Sequence, residues 1–186
     1  MIFIGGLRIF ATRSFDDLWI HSIVIVIRDA TMPKDVFDRL PLFQDLSPAQ
    51  RDILRPLFVP CDCYGDTPLF QQGEIAEHLY LVVSGEVLIS YKPDDGSPIT
   101  VARVGPGGVV GWSAALGNRL YTSSATCTVY TQMLRVRGDD LRNLCRRDPD
   151  TGIIVLDRLA TIIAERLRHT HDQVISLLKQ GLISTI

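Results

Sequence analysis

Residues 57–136 alternate apolar and polar side chains with a period of two, and this alternation constrains the fold more than any other feature. Glycine, proline and aspartate interrupt it at short intervals, as in the Pro-Asp-Asp-Gly sequence at 93–96. Side chains alternate between the two faces of a β-strand, whereas a helix repeats every 3.6 residues. The pattern therefore predicts an all-β roll or sandwich, in which residues 86–91 and 98–104 form a hairpin.

The sequence after this hairpin predicts one more strand and then two helices. A Gly-Pro-Gly-Gly break at 105–108 is followed by a loop, and 125–136 is expected to form the last long strand. Asp139 is then expected to cap a short helix. Asp148-Pro149 is a second cap-plus-proline sequence, from which we expect one long helix.

The residues that precede the β-region also show helical spacing. Residues 34–57 carry apolar side chains at intervals typical of helices. Ser47 is the expected N-cap of one helix, with Pro48 at its first position.

The chain divides into three parts. The β-roll domain is expected over 32–147 and the C-terminal helix with its tail over 148–186. Residues 1–31 are an N-terminal extension whose β-branched run at 20–27 predicts a short strand. Two interpretations of the extension stay open: a genuine strand that pairs with a partner edge, or a misassigned start before Met32.

Composition excludes several classes of protein. The net charge is −2 and no run of Lys or Arg occurs, so we expect no direct DNA binding. The longest apolar stretch, 18–27, is far shorter than the ~20 residues of a membrane helix, so we expect no membrane span. Neither a signal peptide nor an export route is indicated.

The cysteines do not form a metal-binding pattern. Cys61 and Cys63 are a C-x-C with no second close pair of Cys or His to complete a zinc site. On a strand they would share one face. We interpret them as small core or half-buried thiols, and reduced thiols favour a cytoplasmic location.

The long C-terminal helix contains a short heptad seam. Its apolar positions step by three and four residues: Ala160, Ile163, Leu167, Thr170, Val174, Leu177. This spacing predicts a homodimer through 156–178, although a stripe that simply packs on the roll is the alternative. The part beyond Leu167, near Arg166, is expected to project past the roll.

Three motifs resemble those of one known family. They are Leu-Phe-Gln-Gln-Gly-Glu at 69–74 with the Leu-Tyr…Ser-Gly-Glu-Val block at 79–87, Gly-Pro-Gly-Gly-Val-Val-Gly at 105–111, and Ser-Ala-Thr at 124–126. Their order is similar to that of the cyclic-nucleotide-binding domain of the CRP/FNR type, over roughly residues 37–175. The resemblance implies a mainly β fold: a double-stranded β-helix (jelly-roll) β-roll with N-terminal helices and a long C-terminal helix.

Residues 105–126, here called the cassette, have the chemistry to hold a phosphate. A glycine turn lets backbone N–H groups approach an anion, and a helical turn that begins there adds its positive dipole end. The resemblance further implies an acid directly after Gly111 and an arginine two residues before Ala125. The sequence has Trp112 and Ser123 at these positions, so both charged ligand groups are missing.

The candidate site therefore rests on the remaining groups of the cassette. Arg119 could replace the missing arginine, or it is a solvated loop residue. Trp112 could stack on a base, or fill the pocket with its own ring. The expected ligand-binding residues are Gly111, Trp112, Ser113, Ala114, Arg119, Ser123 and Ser124. The resemblance makes cyclic AMP or cyclic GMP the candidate ligand; no other cofactor and no metal is expected.

An enzyme is not expected, because no nucleophile is spaced to meet a base and the four histidines are scattered. A helix-turn-helix would have to follow the long helix, and no recognition helix fits before Ile186. We expect a natural single-domain protein, the alternative being a piece of a longer one.

Two functions remain. The first is a regulatory module that senses a nucleotide or other small anion and signals through its C-terminal helix. The second is a binding-dead scaffold that acts by dimerisation or through a partner protein. The orientation of the Trp112 ring distinguishes them, because a ring inside the pocket leaves no room for a ligand.

Overall fold

The computed structural model describes residues 2–4, 7–10, 25–28 and 34–183. Its strands are β1 (Ile2–Ile4), β2 (Leu7–Phe10), β3 (Ile25–Arg28), β4 (Val59–Cys63), β5 (Thr67–Phe70), β6 (His78–Ser84), β7 (Val87–Tyr91), β8 (Ile99–Val104), β9 (Val109–Val110), β10 (Ser124–Cys127) and β11 (Thr131–Arg137). Its α-helices are α1 (Lys34–Arg39), α2 (Pro48–Leu54), α3 (Gly138–Arg147) and α4 (Pro149–Ile183). Single 3₁₀ turns lie at Pro41–Phe43 and Arg55–Leu57.

The strands form two antiparallel sheets that enclose a roll. One sheet has the order β1-β2-β3-β4-β11-β6-β9 and the other the order β5-β10-β7-β8. Helices α1 and α2 precede strand β4, and helices α3 and α4 follow strand β11. The predicted fold class, a jelly-roll β-roll with N-terminal helices and a long C-terminal helix, is confirmed.

Strand β6 separates two hydrophobic cores. Leu79 and Leu81 lie in a core shared with the helices, where Phe37, Leu141 and Leu159 also pack. The intervening residues of the same strand, Tyr80 and Val82, lie in a second core inside the roll. Because successive side chains of a strand point to opposite faces, one strand serves both cores.

Helix α2 begins where its capping sequence predicts. Ser47 caps α2, its Oγ accepting from the Gln50 N–H while the Gln50 side chain accepts from the Ser47 N–H. This reciprocal capping box satisfies N–H groups that the first turn leaves unpaired. Behind it, the rings of Phe37 and Phe43 stack with centroids 3.7 Å apart.

The predicted hairpin is present, but the predicted last long strand is wrong. Strands β7 and β8 pair from Val87 opposite Val104 to Tyr91 opposite Ile99. Residues 125–136 instead form two strands: β10 pairs with β5 and β7, and β11 pairs with β4 and β6. The chain crosses from one sheet to the other at 128–130, a change that local alternation does not record.

The start of α3 also differs from the prediction. Arg137, not Asp139, is the N-cap residue, and no side chain caps the helix. Asp139 lies in the first turn, where its carboxylate accepts from Arg142 at 2.6 Å. The first residue of α3 is a glycine, Gly138, whose backbone lies against the Ala114 carbonyl. A Cβ at this position would collide with that carbonyl. The long helix α4 begins at Pro149, as predicted.

Part of the N-terminal extension continues the larger sheet. Strand β3 pairs antiparallel with β4, with Ile27 opposite Cys61 and Ile25 opposite Cys63. The predicted strand at 20–27 is thus described from Ile25 on, and 20–24 lie outside the described residues. Among the described helices, none is long and apolar enough to cross a membrane.

Three of the four cysteines belong to the core inside the roll. Cys61, Cys63 and Cys127 are all fully buried there. Burial raises the pKa of the Cys61 thiol to about 12. The pKa of Cys63 is also raised, first by its hydrogen bond with Cys127 and then by burial. These groups are core thiols, as the sequence predicts; the cytoplasmic location stays a prediction.

We expect one rapidly reacting thiol in the native protein, because only Cys145 is partly exposed. A buried thiol with a raised pKa supplies neither thiolate nor access. Titration with a disulfide reagent at pH 8 should consume one equivalent, and four after unfolding in guanidinium, since the chain has four cysteines. A Cys145→Ser variant should then show none in the native state. Two or more rapid equivalents in the native wild type would contradict the described core.

Candidate functional site

The floor of the candidate site is set by Gly111, directly after β9. Its φ is +75° and a Cβ there would lie 2.7 Å from the His78 carbonyl oxygen. A side chain fits neither this backbone angle nor this space. The next residues form the predicted helical turn, in which the Leu116 N–H donates to the Trp112 carbonyl at 3.0 Å.

Tyr121 closes one side of this floor. Its hydroxyl donates to the His78 carbonyl at 2.7 Å and accepts from the His78 N–H at 3.1 Å. Its ring stacks on Phe70 with centroids 3.7 Å apart. Burial raises the pKa of the Tyr121 hydroxyl to about 12, so it remains a donor at neutral pH. Tyr121 therefore fastens the returning end of the cassette to strand β6.

Trp112 and Arg166 form the opposite wall. The half-buried indole packs against the core shared with the helices. The guanidinium of Arg166, on α4, lies 4.6 Å from the centroid of the Trp112 ring, within the range of a cation–π contact. The Arg166 Nη1 also donates to the Val109 carbonyl at 3.1 Å. Arg166 was expected in a projecting part of the helix; it lies instead against the cassette.

Between these walls lies a narrow cavity with about 20 Å³ of room for water, which holds roughly one water molecule. Four of the predicted site residues line it: Gly111, Trp112, Ser113 and Ser123. Five further residues line it with them: Phe70, Ile89, Tyr121, Thr122 and Arg166. The indole borders the cavity while packing toward α4, so it neither fills the pocket alone nor leaves it open.

The other predicted residues do not line this cavity. Ala114 is buried against α3, and its carbonyl accepts from Arg142. Arg119 is exposed on the cassette loop, so its side chain does not replace the missing arginine in this structure. The Ser124 Oγ accepts from the Gln72 N–H at 3.0 Å, which ties two segments of the roll together.

No carboxylate borders the cavity among the described residues. Glu74 accepts from the Gln71 N–H within its own turn at 2.9 Å. Glu86 pairs with Arg103 at 2.7 Å and accepts from the Thr128 hydroxyl. Both glutamates are thus turn or surface residues and do not contact the cavity. Within the described part of the chain, no group of three His, Cys, Asp or Glu is placed to hold a metal ion.

The sequence does contain a signal for Arg166 that motif comparison missed. Leu159, Ile162, Ile163 and Arg166 follow the i, i+3, i+4, i+7 spacing of one helix face. The first three pack in or against the core beside the cassette. A cationic side chain that follows these apolar residues on the same helix face lies at the end of the buried stripe, which in this structure is next to the cavity.

Comparison with known proteins finds relatives of this domain. The family model for the cyclic nucleotide-binding domain matches residues 64–148. Residues 64–148 are therefore identified as a domain of the cyclic nucleotide-binding type, and the chain is similar to proteins of the CRP type.

Particular relatives show how far the similarity extends. The chain is 33% identical over 128 residues to the cyclic AMP receptor protein of Thermus thermophilus, covering 69% of this chain and 57% of that protein. The solved Thermus thermophilus catabolite activator protein has a TM-score of 0.60 at 32% identity, over 75% of this chain and 63% of that one. A cyclic nucleotide-binding domain from Methylobacillus flagellatus has a TM-score of 0.67 at 23% identity, over 76% and 80%. The chain thus spans about three fifths of the length of its curated relative.

We expect Tyr121→Phe to lower the free energy of unfolding by about 1–3 kcal/mol, because the His78 carbonyl and N–H lose their shared partner. Urea denaturation checks this. Tyr91→Phe is the matched control, since Tyr91 is 44% exposed. The control should change stability by less than about 0.5 kcal/mol. Equal effects for the two variants would show that the hydroxyl does not fasten the cassette.

Proposed function

We propose that this chain is a non-catalytic regulatory module that senses a nucleotide or another small anion and signals through α4. The observation that carries the proposal is that one cavity is lined both by the cassette and by Arg166 of α4. A ligand in that cavity would contact the helix directly. The match of residues 64–148 to the cyclic nucleotide-binding domain family supports a small-molecule ligand.

The polar groups of the cavity suit a phosphate. Ser113, Thr122 and Ser123 carry hydroxyls, and Gly111 lets backbone N–H groups come close. The acid and arginine that the family places here are replaced by Trp112 and Ser123. A relative is named as a cyclic AMP receptor protein, so cyclic AMP and cyclic GMP are the first ligands to test.

Ligand binding would have to rearrange one wall of the cavity. Room for about one water is far too little for a nucleotide. The floor is held by Gly111 and by the two hydrogen bonds of Tyr121, whereas the opposite wall consists of the Trp112 and Arg166 side chains. We infer that these two side chains move when a ligand enters and that α4 moves with Arg166.

A Trp19→Phe protein has Trp112 as its single tryptophan, because the chain has two, and excitation at about 295 nm selects it over the tyrosines. Titration of this protein with cyclic AMP, cyclic GMP and cyclic di-GMP should change Trp112 fluorescence and release heat with at least one of them. Ser123→Ala should weaken that binding by about 2- to 10-fold through the lost hydroxyl bond. Ser90→Ala, on β7 and outside the cavity, is the matched control.

Absence of heat and of a fluorescence change with all three nucleotides would reject the nucleotide sensor. It would favour the second candidate, a scaffold that acts through dimerisation or a partner protein. The small volume of the cavity is the observation that supports this candidate. In the scaffold, Trp112 and Arg166 would serve only to hold α4 on the roll.

We also propose a homodimer through residues 156–178 of α4. Leu167, in the heptad seam, is 58% exposed, and Ile175 is 37% exposed. Exposed apolar side chains along a helix are buried when two such helices pair. No direct contact with DNA is proposed for this chain, since its net charge is −2.

Light scattering after size exclusion should give twice the mass of one chain. Leu167→Glu should convert the protein to a monomer, because two buried carboxylates would meet in the seam. Ile153→Glu is the matched control on the same helix, as Ile153 is 66% exposed but lies outside 156–178. A monomeric wild type, or dissociation by the control alone, would contradict the proposed seam.

A further inference from the structure

The cavity contains a positive charge although the cassette has no arginine at 123. Of the described residues that line it, Arg166 is the one cation. Its guanidinium lies over the Trp112 ring at 4.6 Å and donates to the Val109 carbonyl at 3.1 Å. The other basic side chains near the cassette face elsewhere: Arg142 bonds Asp139 and the Ala114 carbonyl, and Arg119 is exposed.

Ser123 and Arg166 reach this cavity from different elements. Ser123 directly precedes β10 in the roll, whereas Arg166 lies in the middle of α4. Both border the same small space, so a group bound there contacts both. Ser123 has a short side chain and leaves space where a longer one would lie, and Arg166 supplies the positive charge from α4.

We propose that Arg166 is the phosphate-binding cation of this domain, supplied by α4 in place of an arginine from the cassette. The inference rests on the proposed ligand-sensing function and names its ligand class: an organic phosphate whose charge is held by a residue of the signalling helix.

The chemistry of the guanidinium supports this role. Arginine binds phosphate oxygens through two parallel N–H donors, and such charge-assisted bonds are about twice as strong as neutral ones. The Val109 carbonyl, which accepts from Arg166 in this structure, is neutral. Burial lowers the pKa of Arg166 to about 10, which still leaves it protonated at pH 7. A phosphate oxygen is therefore a stronger acceptor for Arg166 than the Val109 carbonyl is.

The position of this cation also couples binding to the helix. A cassette arginine would neutralise a phosphate without involving α4. When the cation belongs to α4, the free energy of the ion pair depends on where the helix lies. A bound phosphate then favours the helix position that completes the pair, which is the differential interaction that a ligand-driven switch requires.

The test compares Arg166→Gln, Arg166→Lys and Arg168→Gln in the Trp19→Phe background. Arg168 is an exposed control two residues along the same helix. Cyclic AMP, cyclic GMP, cyclic di-GMP and inorganic phosphate are titrated, with calorimetry and Trp112 fluorescence as readouts. For each probe that binds the unmodified protein, Arg166→Gln should weaken binding by about 10- to 100-fold. Arg166→Lys should retain part of the affinity, and Arg168→Gln all of it.

The salt dependence of ligand binding is a second readout, and a substitution at Arg166 would not change it if Arg166 had only a structural role. Binding to the parent protein should weaken as salt rises, and this dependence should be smaller in Arg166→Gln. Circular dichroism and urea denaturation establish that each variant is folded. If Arg166→Gln does not fold, the affinity and salt dependence of Arg166→Lys are compared with those of the parent protein instead.

Three results have distinct meanings. Weakened binding in Arg166→Gln with reduced salt dependence supports the inference. Binding within twofold of the parent in folded Arg166→Gln overturns it and leaves the ligand-sensing function standing. Failure of the parent protein to bind any of the probes overturns the ligand-sensing function and this inference together.

Discussion

Burial of strand β6 on both faces is the constraint on which the rest of the molecule depends. Residues 79–82 are buried, with alternate side chains in two different cores. The helices pack on one face, and the second sheet closes over the other. At His78, where this strand begins, the backbone carbonyl lies close to Gly111 and accepts a hydrogen bond from the Tyr121 hydroxyl. The floor of the candidate site is therefore as rigid as the core itself, because it is attached to a strand that cannot shift without opening both cores.

The opposite wall of the site is built differently. Trp112 and Arg166 share a cation–π contact, and Arg166 also donates a hydrogen bond to the Val109 carbonyl. Contacts of this kind contribute about 0.5–2 kcal/mol each. A rigid floor facing a wall made of two side chains is an arrangement in which a small ligand can shift a helix. The same arrangement would also suit a scaffold, whose helix would simply stay in place.

Local chemistry explains which parts of this structure could be predicted. The β7–β8 hairpin and the Ser47 cap follow from turn and capping residues within a few positions of each other. The cassette follows from its glycines and from family resemblance. The split of 125–136 into β10 and β11 could not be predicted, because pairing partners distant in sequence decide it. Arg166 was missed for the same reason: its contact with Val109 spans 57 residues, and no motif of the cassette refers to the helix.

The volume of the cavity has a consequence for the speed of any binding event. A site with room for about one water admits a larger ligand only after its wall has opened. Opening is a first-order step of the protein alone, so the observed association rate would level off at high ligand concentration instead of rising in proportion to it. The measured affinity would also be reduced by the fraction of molecules that are closed. A substitution that loosens the Trp112–Arg166 contact without touching the ligand would then accelerate association.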